Sequence, residues 1–278
     1  MTIHIYLNNY MPYSPSRTLT QLDYNVLKPL IQDPKNTYIL HGEPTLYPFL
    51  HETLNQLQGK DFILTTDCCE PGVLTRYTKD IPYLALNYDG FMNDTIRNKA
   101  GLTNNVISTI NIMKERVKTL RLSYTISHAN VDWVDADTSI LFRLWQDNLK
   151  NMKQPFLSVI QQAEVYSLDK FTWIGINADY IKKWNSKGLL TQTNYDYLNT
   201  YISLPTEPCT SVLTDSTVAW DGTVRMCMSH RMFETLGDLR QQSFDEIMFS
   251  SAEKRQACSN CAYKGQCWLS HHLKNNIV

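Results

Sequence analysis

The chain has 278 residues, which is long enough to bury a sizeable core, either as one large domain or as a large domain carrying a small one. Its 26 Lys and Arg residues balance 27 Asp and Glu residues, so gross charge gives no support for nucleic-acid binding. The first ten residues lack a basic region followed by an apolar run, and no stretch approaches the roughly eighteen consecutive apolar residues of a membrane span. We therefore expect a soluble cytoplasmic protein with no membrane partner.

Short apolar segments rich in β-branched residues alternate with amphipathic segments as far as about residue 200, which is the βα pattern of a parallel sheet. The predicted strands are Ile3–Leu7, Tyr38–His41, Phe62–Thr65, Tyr83–Leu86, Thr119–Ser127 and Phe156–Gln161. The predicted helices are Thr20–Leu30, Tyr47–Leu57, Gly72–Thr78, Asn105–Glu115, Ser139–Asn151 and, in part, Ala178–Tyr201. Six βα units suit an open partial barrel, but a doubly wound sheet has the same periodicity.

A polar connector with two prolines, Ser203–Pro208, marks a change of pattern. We place a domain boundary there, which gives a larger domain over residues 1–203 and a smaller one over residues 204–278.

Two local signals shape the predicted smaller domain. Asp221 and Gly222 separate two short apolar runs, Thr217–Trp220 and Val224–Met228, and predict a β-hairpin because glycine accepts the positive φ of a tight turn. Ser243, with a glutamate three residues later, is a capping box and predicts the start of a helix that leads towards Cys258.

Five of the seven cysteines lie in the last seventy residues, and the first sixty-seven residues contain none. An odd number of cysteines in a reducing compartment favours metal ligands or thiols over a disulfide framework. Four thiolates suit either a [4Fe-4S] cluster or structural zinc, and chemistry alone does not choose between them. With His271 there are six potential ligands, more than one four-coordinate site requires. The cysteines of this cluster are Cys209, Cys227, Cys258, Cys261 and Cys267.

The spacing of these cysteines, with four residues between Gly222 and Cys227, resembles the SPASM and twitch extensions of the radical S-adenosylmethionine (SAM) enzymes, which carry auxiliary iron–sulfur clusters. Upstream segments resemble parts of that superfamily's barrel in family order. They are Tyr38–Pro44, similar to the second strand and its GGEP turn; Leu86–Gly90 with Arg97 and Gly101, similar to the SxDG and RxxxG segments; and Leu122–Ser127 with Asn130, similar to the fifth strand and its trailing Asn.

The resemblance implies an α/β fold, a partial (βα)6 barrel of the radical SAM type followed by a small SPASM- or twitch-like iron–sulfur domain. It implies that Gly42 and Glu43 meet the methionine amino group of SAM and that Asn87 lines the cofactor. It also implies that Cys209, Cys227, Cys258 and Cys261 hold an auxiliary cluster, with Cys267 as a further candidate ligand. His41 stands where the family has the first glycine of the GGEP turn. Without a cofactor, Gly42 would simply permit a tight turn before Pro44.

One departure from the family concerns its central reaction, which needs CxxxCxxC after the first strand so that three thiolates leave one iron open to SAM. The corresponding loop, Asn8–Ser16, has no cysteine, and the hydroxyl of Ser14 is a poor substitute for a thiolate. Cys68 and Cys69 follow the third strand and could serve an unorthodox cluster. The alternative for them is a pair of half-buried thiols in a strand-to-helix turn.

These observations lead to a first hypothesis of a radical-SAM-like iron–sulfur protein that binds a peptide, protein or nucleotide-like ligand, or SAM itself, without radical chemistry. A homologous catalytic chain is a possible partner. A second hypothesis is a SAM-dependent enzyme that uses atypical cluster ligands or polar transfer chemistry. A third is a zinc-stapled binding module.

Overall fold

The computed structural model describes residues 1–10, 18–126, 133, 136–137, 156–159, 182, 185–186, 215–226 and 234–255. The predicted helix Ser139–Asn151 and most of the predicted helix Ala178–Tyr201 lie outside these residues, as do Asn130, the connector and His271. All five cysteines of the carboxyl-terminal cluster also lie outside them.

The six strands predicted from the sequence are all present, and their described ends lie within two residues of the expected positions. Three more strands follow later in the chain. The bounds are β1 Thr2–Tyr6, β2 Thr37–His41, β3 Phe62–Thr66, β4 Ile81–Asn87, β5 Val117–Ile126, β6 Phe156–Val159, β7 Asp215–Val218, β8 Thr223–Arg225 and β9 Thr235–Asp238.

Helices follow the early strands as expected. They are α1 Tyr24–Leu30, α2 Leu50–Gln56, α3 Pro71–Arg76, α4 Asn93–Ile96, α5 Leu102–Met113 and α6 Phe244–Ser250, with short 3-10 helices at Pro44–Leu46, Gly90–Met92 and Ala252–Lys254. The first helix begins four residues later than predicted because the side chain of Asp23 accepts a hydrogen bond from the backbone N–H of Asn25 at 2.8 Å and so caps it. None of the helices in the described ranges is long and apolar enough to cross a membrane.

The described residues fall into two compact units. Unit 1 contains residues 1–10, 18–65 and the described part of 204–278; unit 2 contains the described part of 66–203. In unit 1, β1 is central: it pairs in parallel with β2 on one side and with β7 on the other, and β2 pairs in parallel with β3. Strand β7 also pairs with β8, and β8 pairs with β9, both in antiparallel orientation. The domain bounds predicted from the sequence remain a prediction.

The two faces of β1 in unit 1 differ in chemistry, because side chains alternate along a strand. Ile3, Ile5 and Leu7 are fully buried on one face. On β2, the hydroxyl of Tyr38 donates a hydrogen bond to the carbonyl of Leu30 at the end of α1, so α1 lies against this apolar side. The opposite face of the same strands carries the polar residues described below.

Unit 2 is built on β4, β5 and β6, which are parallel and adjacent in that order. Helix α5 buries one stripe of side chains at helical spacing, namely Leu102, Val106, Ile110 and Met113. Helix α3 contributes Leu74, which is also fully buried.

Strand order distinguishes the two architectures that periodicity left open. In a doubly wound sheet the order reverses next to β1, so that β1 has a later strand of the same parallel series as its second neighbour. Here the second neighbour of β1 is β7, which is parallel to β1 but belongs to the later hairpin, so neither β3 nor β4 lies beside β1 as a doubly wound order requires. Within each unit the strands of the parallel series follow chain order. The predicted α/β fold class with a partial barrel is confirmed.

Candidate functional site

The turn after β2 in unit 1 contains Gly42 and Glu43, two of the residues predicted to bind SAM. Gly42 has φ +79°, and a Cβ there would lie 2.6 Å from both the backbone oxygen and Oδ1 of Asn8. The position therefore requires glycine for two reasons, its left-handed backbone and the close approach of the chain that leaves β1.

Asn8 holds this turn from the residue where the loop Asn8–Ser16 begins. Its Nδ2 donates to the carbonyl of Glu43 at 2.8 Å, and its Oδ1 accepts from the backbone N–H of Glu43 at 2.9 Å. The same Oδ1 accepts from the N–H of Tyr10 at 3.2 Å, and Asn8 is fully buried. We name this arrangement the Asn8 clamp. Sequence reasoning missed it, because an asparagine after a strand is an ordinary turn signal.

The carboxylate of Glu43 is fully buried and caps the 3-10 helix that follows. Its Oε1 accepts hydrogen bonds from the backbone N–H of Thr45, at 3.1 Å, and from the Thr45 hydroxyl. A carboxylate out of water is stable only with such donors. A ligand amino group bound by Glu43 would therefore share the carboxylate with Thr45.

His41, which replaces a glycine of the family pattern, has a partner on the neighbouring strand. Its Nε2 lies 3.1 Å from Nδ1 of His4 on β1, and the two side chains are 6% and 2% exposed. Burial, and to a smaller extent the neighbouring His41, lowers the pKa of His4 well below its ordinary value. Burial lowers the pKa of His41 to about 3. Both rings are therefore neutral near pH 7, one donating a hydrogen bond and the other accepting it.

Aromatic contacts connect this His4–His41 pair to the hairpin that precedes Cys227. Tyr6 on β1 stacks on His41 with 5.1 Å between ring centroids, and it meets Trp220 edge to face at 6.4 Å. The guanidinium of Arg225 lies over the Trp220 ring at 5.5 Å. The pair, Tyr6 and the hairpin thus form one continuous set of contacts within unit 1.

The hairpin itself was predicted and is confirmed. Strands β7 and β8 are antiparallel, and Gly222 in the turn between them has φ +81°. Asp221 Oδ1 accepts from the backbone N–H of Thr223 at 3.1 Å and fixes the turn. Strand β8 ends at Arg225, two residues before Cys227.

The capping box before α6 is also confirmed. The Ser243 hydroxyl accepts from the N–H of Glu246, and the Glu246 carboxylate accepts from the N–H of Ser243 at 2.8 Å. Helix α6 and the 3-10 helix after it carry the chain to Lys254, four residues before Cys258.

Asn87, the third predicted SAM residue, lies in unit 2 at the end of β4 and contacts a buried ionic cluster. Arg97 bridges two carboxylates, with Nη1 at 2.5 Å from Asp67 Oδ1 and Nη2 at 2.7 Å from Asp89 Oδ2. The Nδ2 of Asn87 donates to Asp67 Oδ1 at 2.7 Å. The three charged side chains are at most 3% exposed. We name this set the Arg97 cluster. Asp89 and Arg97 belong to the family-like segments, but nothing in the sequence indicated that they pair with Asp67.

Gly101 of the RxxxG-like segment has a structural role at the start of α5, where it is the N-cap residue. It has φ +87°, and its N–H donates to Asp94 Oδ2 at 2.6 Å. The other oxygen of Asp94 accepts from the backbone N–H of Thr103 at 2.7 Å and from its hydroxyl at 2.8 Å. Partial burial raises the pKa of Asp94, but the hydrogen bonds outweigh burial and hold that pKa below its ordinary value.

Cys68 and Cys69 lie in the turn between β3 and α3, as predicted, but they are buried rather than half-buried, at 0% and 4% exposure. Cys68 has φ +60°, which is uncommon for a residue with a side chain. Its backbone is fixed from two sides: its N–H donates to the Thr66 hydroxyl, and its carbonyl accepts from Nδ2 of Asn105, both at 2.9 Å. A buried thiol is a poor source of thiolate.

The cysteine donor set suits an iron–sulfur cluster, since four or five soft thiolates within sixty residues match the ligands such clusters take. Within the ranges that the structure describes, no three His, Cys, Asp or Glu residues group to hold a metal ion. For SAM, Glu43 Oε1 and Asn87 Nδ2 already have partners in the chain, so a ligand would have to share these two side chains with them. The assignment of Gly42, Glu43 and Asn87 to SAM, and of the five cysteines to a metal, remains a prediction.

Comparison with known proteins addresses the carboxyl-terminal part of the chain. A model of the SPASM family, an iron–sulfur cluster-binding domain, matches residues 209–268. No curated protein matches the chain. Similar solved structures include TYW1 with a lysine-pyruvate adduct bound, 16% identical with a TM-score of 0.41, covering 67% of this chain and 70% of that one. Another is BtrN in complex with AdoMet and 2-DOIA, 11% identical with a TM-score of 0.41, covering 96% of this chain and 90% of that one.

The matched segment spans all five cysteines of the carboxyl-terminal cluster, from Cys209 to Cys267. The predicted resemblance to a SPASM extension is confirmed by this match, and residues 209–268 are similar to an iron–sulfur cluster-binding domain.

Proposed function

We propose that the chain is a radical-SAM-like iron–sulfur protein that holds one [4Fe-4S] cluster in its carboxyl-terminal part and does not cleave SAM reductively. Its ligand would be a peptide, a protein, a nucleotide-like molecule or SAM itself. The observation that carries the proposal is the Asn8 clamp, because it occupies the point where the family's catalytic cluster loop leaves β1.

The argument begins with the ligands that a catalytic cluster needs. Three thiolates must bind three irons so that the fourth stays open to SAM. The loop that begins at Asn8 supplies none. At its first residue, the side-chain amide of Asn8 makes two hydrogen bonds to the backbone of Glu43 and one to the N–H of Tyr10, so the chain itself supplies the groups that hold the Gly42–Glu43 turn.

The predicted SAM residues support the same proposal. The buried Glu43 carboxylate caps its own 3-10 helix, and Asn87 serves the Arg97 cluster. SAM bound through these groups would share them with charge-assisted hydrogen bonds, which are about twice as strong as neutral ones. SAM could therefore be retained only as a weakly bound ligand at this turn.

The cysteines of the tail have a different role in the proposal. A small segment buries too little apolar surface to be stable alone, and a cluster bound by four thiolates would contribute folding free energy directly. Cys227 follows the confirmed hairpin and Cys258 follows the confirmed helix α6, so two rigid elements lead into the ligand set. The cluster would thus act as a structural staple.

Metal and sulfide analysis of anaerobically purified protein tests the cluster. We expect about four irons and four sulfides per chain, a brown colour and no stoichiometric zinc. Replacing Cys258 or Cys261 with Ser should abolish iron binding and lower the melting temperature. Unchanged metal content and melting temperature in both variants would reject the staple, and zinc without sulfide would support a zinc-stapled binding module instead.

Cys69→Ser provides the matched control, since it removes a thiol outside the matched segment. We expect its iron content to equal that of the wild type. Loss of iron in this variant would favour the alternative of an enzyme that recruits Cys68 and Cys69 as atypical cluster ligands.

Reductive chemistry is tested by adding a strong reductant and SAM to the reconstituted protein and measuring 5′-deoxyadenosine and methylthioadenosine. We expect neither product above the level of a no-protein control. Catalytic formation of either one would overturn the proposal in favour of a SAM-dependent enzyme. We also propose a homologous catalytic chain as the partner class if the protein acts as a subunit.

A further inference from the structure

A buried histidine pair lies where unit 1 joins the cysteine-bearing hairpin to the parallel sheet. His4 and His41 make a 3.1 Å hydrogen bond that requires one ring to donate and the other to accept. If both rings carried two protons, each nitrogen at this contact would be a donor and the bond would be lost. Two positive charges would then be 3.1 Å apart in the core.

The surroundings offer little to stabilise such charges. The groups that face the pair in the described residues are the Tyr6 ring on β1, the Thr217 hydroxyl on β7 and, through Tyr6, the Trp220 ring with Arg225 over it. Thr217 lies opposite His4 in the β1–β7 register, is 3% exposed, and its hydroxyl finds no hydrogen-bond partner in the described part of the chain. A hydroxyl can accept one bond from an imidazolium, but it cannot neutralise the charge.

The position of the pair links its protonation to the hairpin. Strand β1 is held between β2 and β7, with four register pairs to β7 from Thr2 to Ile5. Tyr6 contacts His41 on one side and Trp220 on the other. Separation of the two histidines therefore disturbs the strand that fastens the hairpin leading to Cys227.

We propose that the His4–His41 pair is an acid-sensitive latch, which fastens the cysteine-bearing hairpin to the sheet at neutral pH and releases it when the cell compartment or medium becomes acidic. The consequence for iron retention rests on the proposed function, whereas the consequence for unfolding of unit 1 does not. Lowered folded-state pKa values mean that the unfolded chain binds more protons than the folded chain below about pH 6.5, so stability falls as the pH falls through that region.

Urea unfolding at about pH 7.5 and about pH 5 measures the latch without reference to any cluster. Each buried neutral histidine should raise the unfolded-to-folded ratio about 30-fold over this interval, beyond the change from other groups. The variant His41→Gln keeps an uncharged hydrogen-bonding group, and its unfolded-to-folded ratio should change about 30-fold less over the same pH interval than that of the wild type. His51→Gln, which removes a partly exposed histidine on α2, serves as the control and should leave the wild-type difference intact.

Iron release to a chelator, compared between variants at the same pH, measures the effect on the hairpin. The His41→Gln protein should release iron more slowly at about pH 5 than the wild type, with no difference at about pH 7.5. If His41→Gln is unstable, histidine NMR of the wild type decides instead, since the latch requires both rings to remain neutral in folded protein at pH 5.

Histidines that titrate near pH 6.5 in the folded state, or equal pH dependence in His41→Gln and wild type, would overturn the latch. A protein without iron at pH 7.5 would reject the proposed function, while the urea arm would still test the latch.

Discussion

Removal of the Arg97 guanidinium is the sharpest test of how unit 2 is held together. Arg97→Met leaves the carboxylates of Asp67 and Asp89, which are 3% and 0% exposed, without their shared cation. Asp67 keeps the hydrogen bond from Asn87 at 2.7 Å, but that donor is neutral. Breaking a buried ion pair by removing one partner costs about 3–5 kcal/mol, and here one substitution breaks two contacts. We expect a loss in this range, a large part of the 5–15 kcal/mol typical of natural domains.

Urea unfolding followed by circular dichroism provides the measurement, and the loss should move the midpoint by about 1 M or more. The midpoint of Arg97→Lys should lie between those of the wild type and Arg97→Met, because one ammonium replaces a planar guanidinium that reaches two carboxylates. Arg76→Met is the matched control: Arg76 is exposed and its Nε donates to the carbonyl of Gly72 at 3.1 Å, so the change should stay within about 0.5 kcal/mol. A loss below about 1 kcal/mol in Arg97→Met would refute the view that the cluster is a buried structural network.

Three further substitutions test the segments that follow β1 and β2 and the start of α5. Gly42→Ala should cost about 2 kcal/mol or more in unfolding free energy, because the added Cβ meets Asn8; Gly59→Ala, at φ +77° with nothing within 4 Å, isolates the backbone contribution and should cost less. Equal losses would mean that the clamp yields. Asn8→Asp should cost about 1–3 kcal/mol, since a carboxylate cannot donate to the carbonyl of Glu43 and would be buried. Asp94→Asn should reduce stability at neutral pH, and the difference from wild type should disappear as the pH falls below 3.8 through the lowered folded-state pKa; a pH-independent difference would contradict the assigned hydrogen bonds.

Patterns confined to a short stretch of sequence were sufficient to predict most of the fold. The six predicted strands, the Asp221–Gly222 hairpin and the Ser243 capping box all follow from alternation, turn chemistry and cap spacing, which act over a few residues. The choice between a partial barrel and a doubly wound sheet depended on which strand lies beside β1, and periodicity does not contain that information.

The contacts at the candidate site were harder to predict because they join residues far apart in the chain. Asn8 and Glu43 are 35 residues apart, and Asp67 and Arg97 are 30 apart. A polar residue in an apolar strand, such as His41, indicates that something must satisfy it, but not which residue does so. Family resemblance pointed to Gly42, Glu43 and Asn87, yet it could not indicate that two of these side chains already have partners within the chain.

The place of β1 in unit 1 has a consequence for how the protein is made. This strand is synthesised more than two hundred residues before β7, which begins at Asp215 and completes one of its edges. Until then the nascent chain carries an open strand edge, a template for pairing with other chains. Closure over more than two hundred residues is entropically slow, so we expect chaperone dependence during translation and aggregation when the chain is truncated before Asp215.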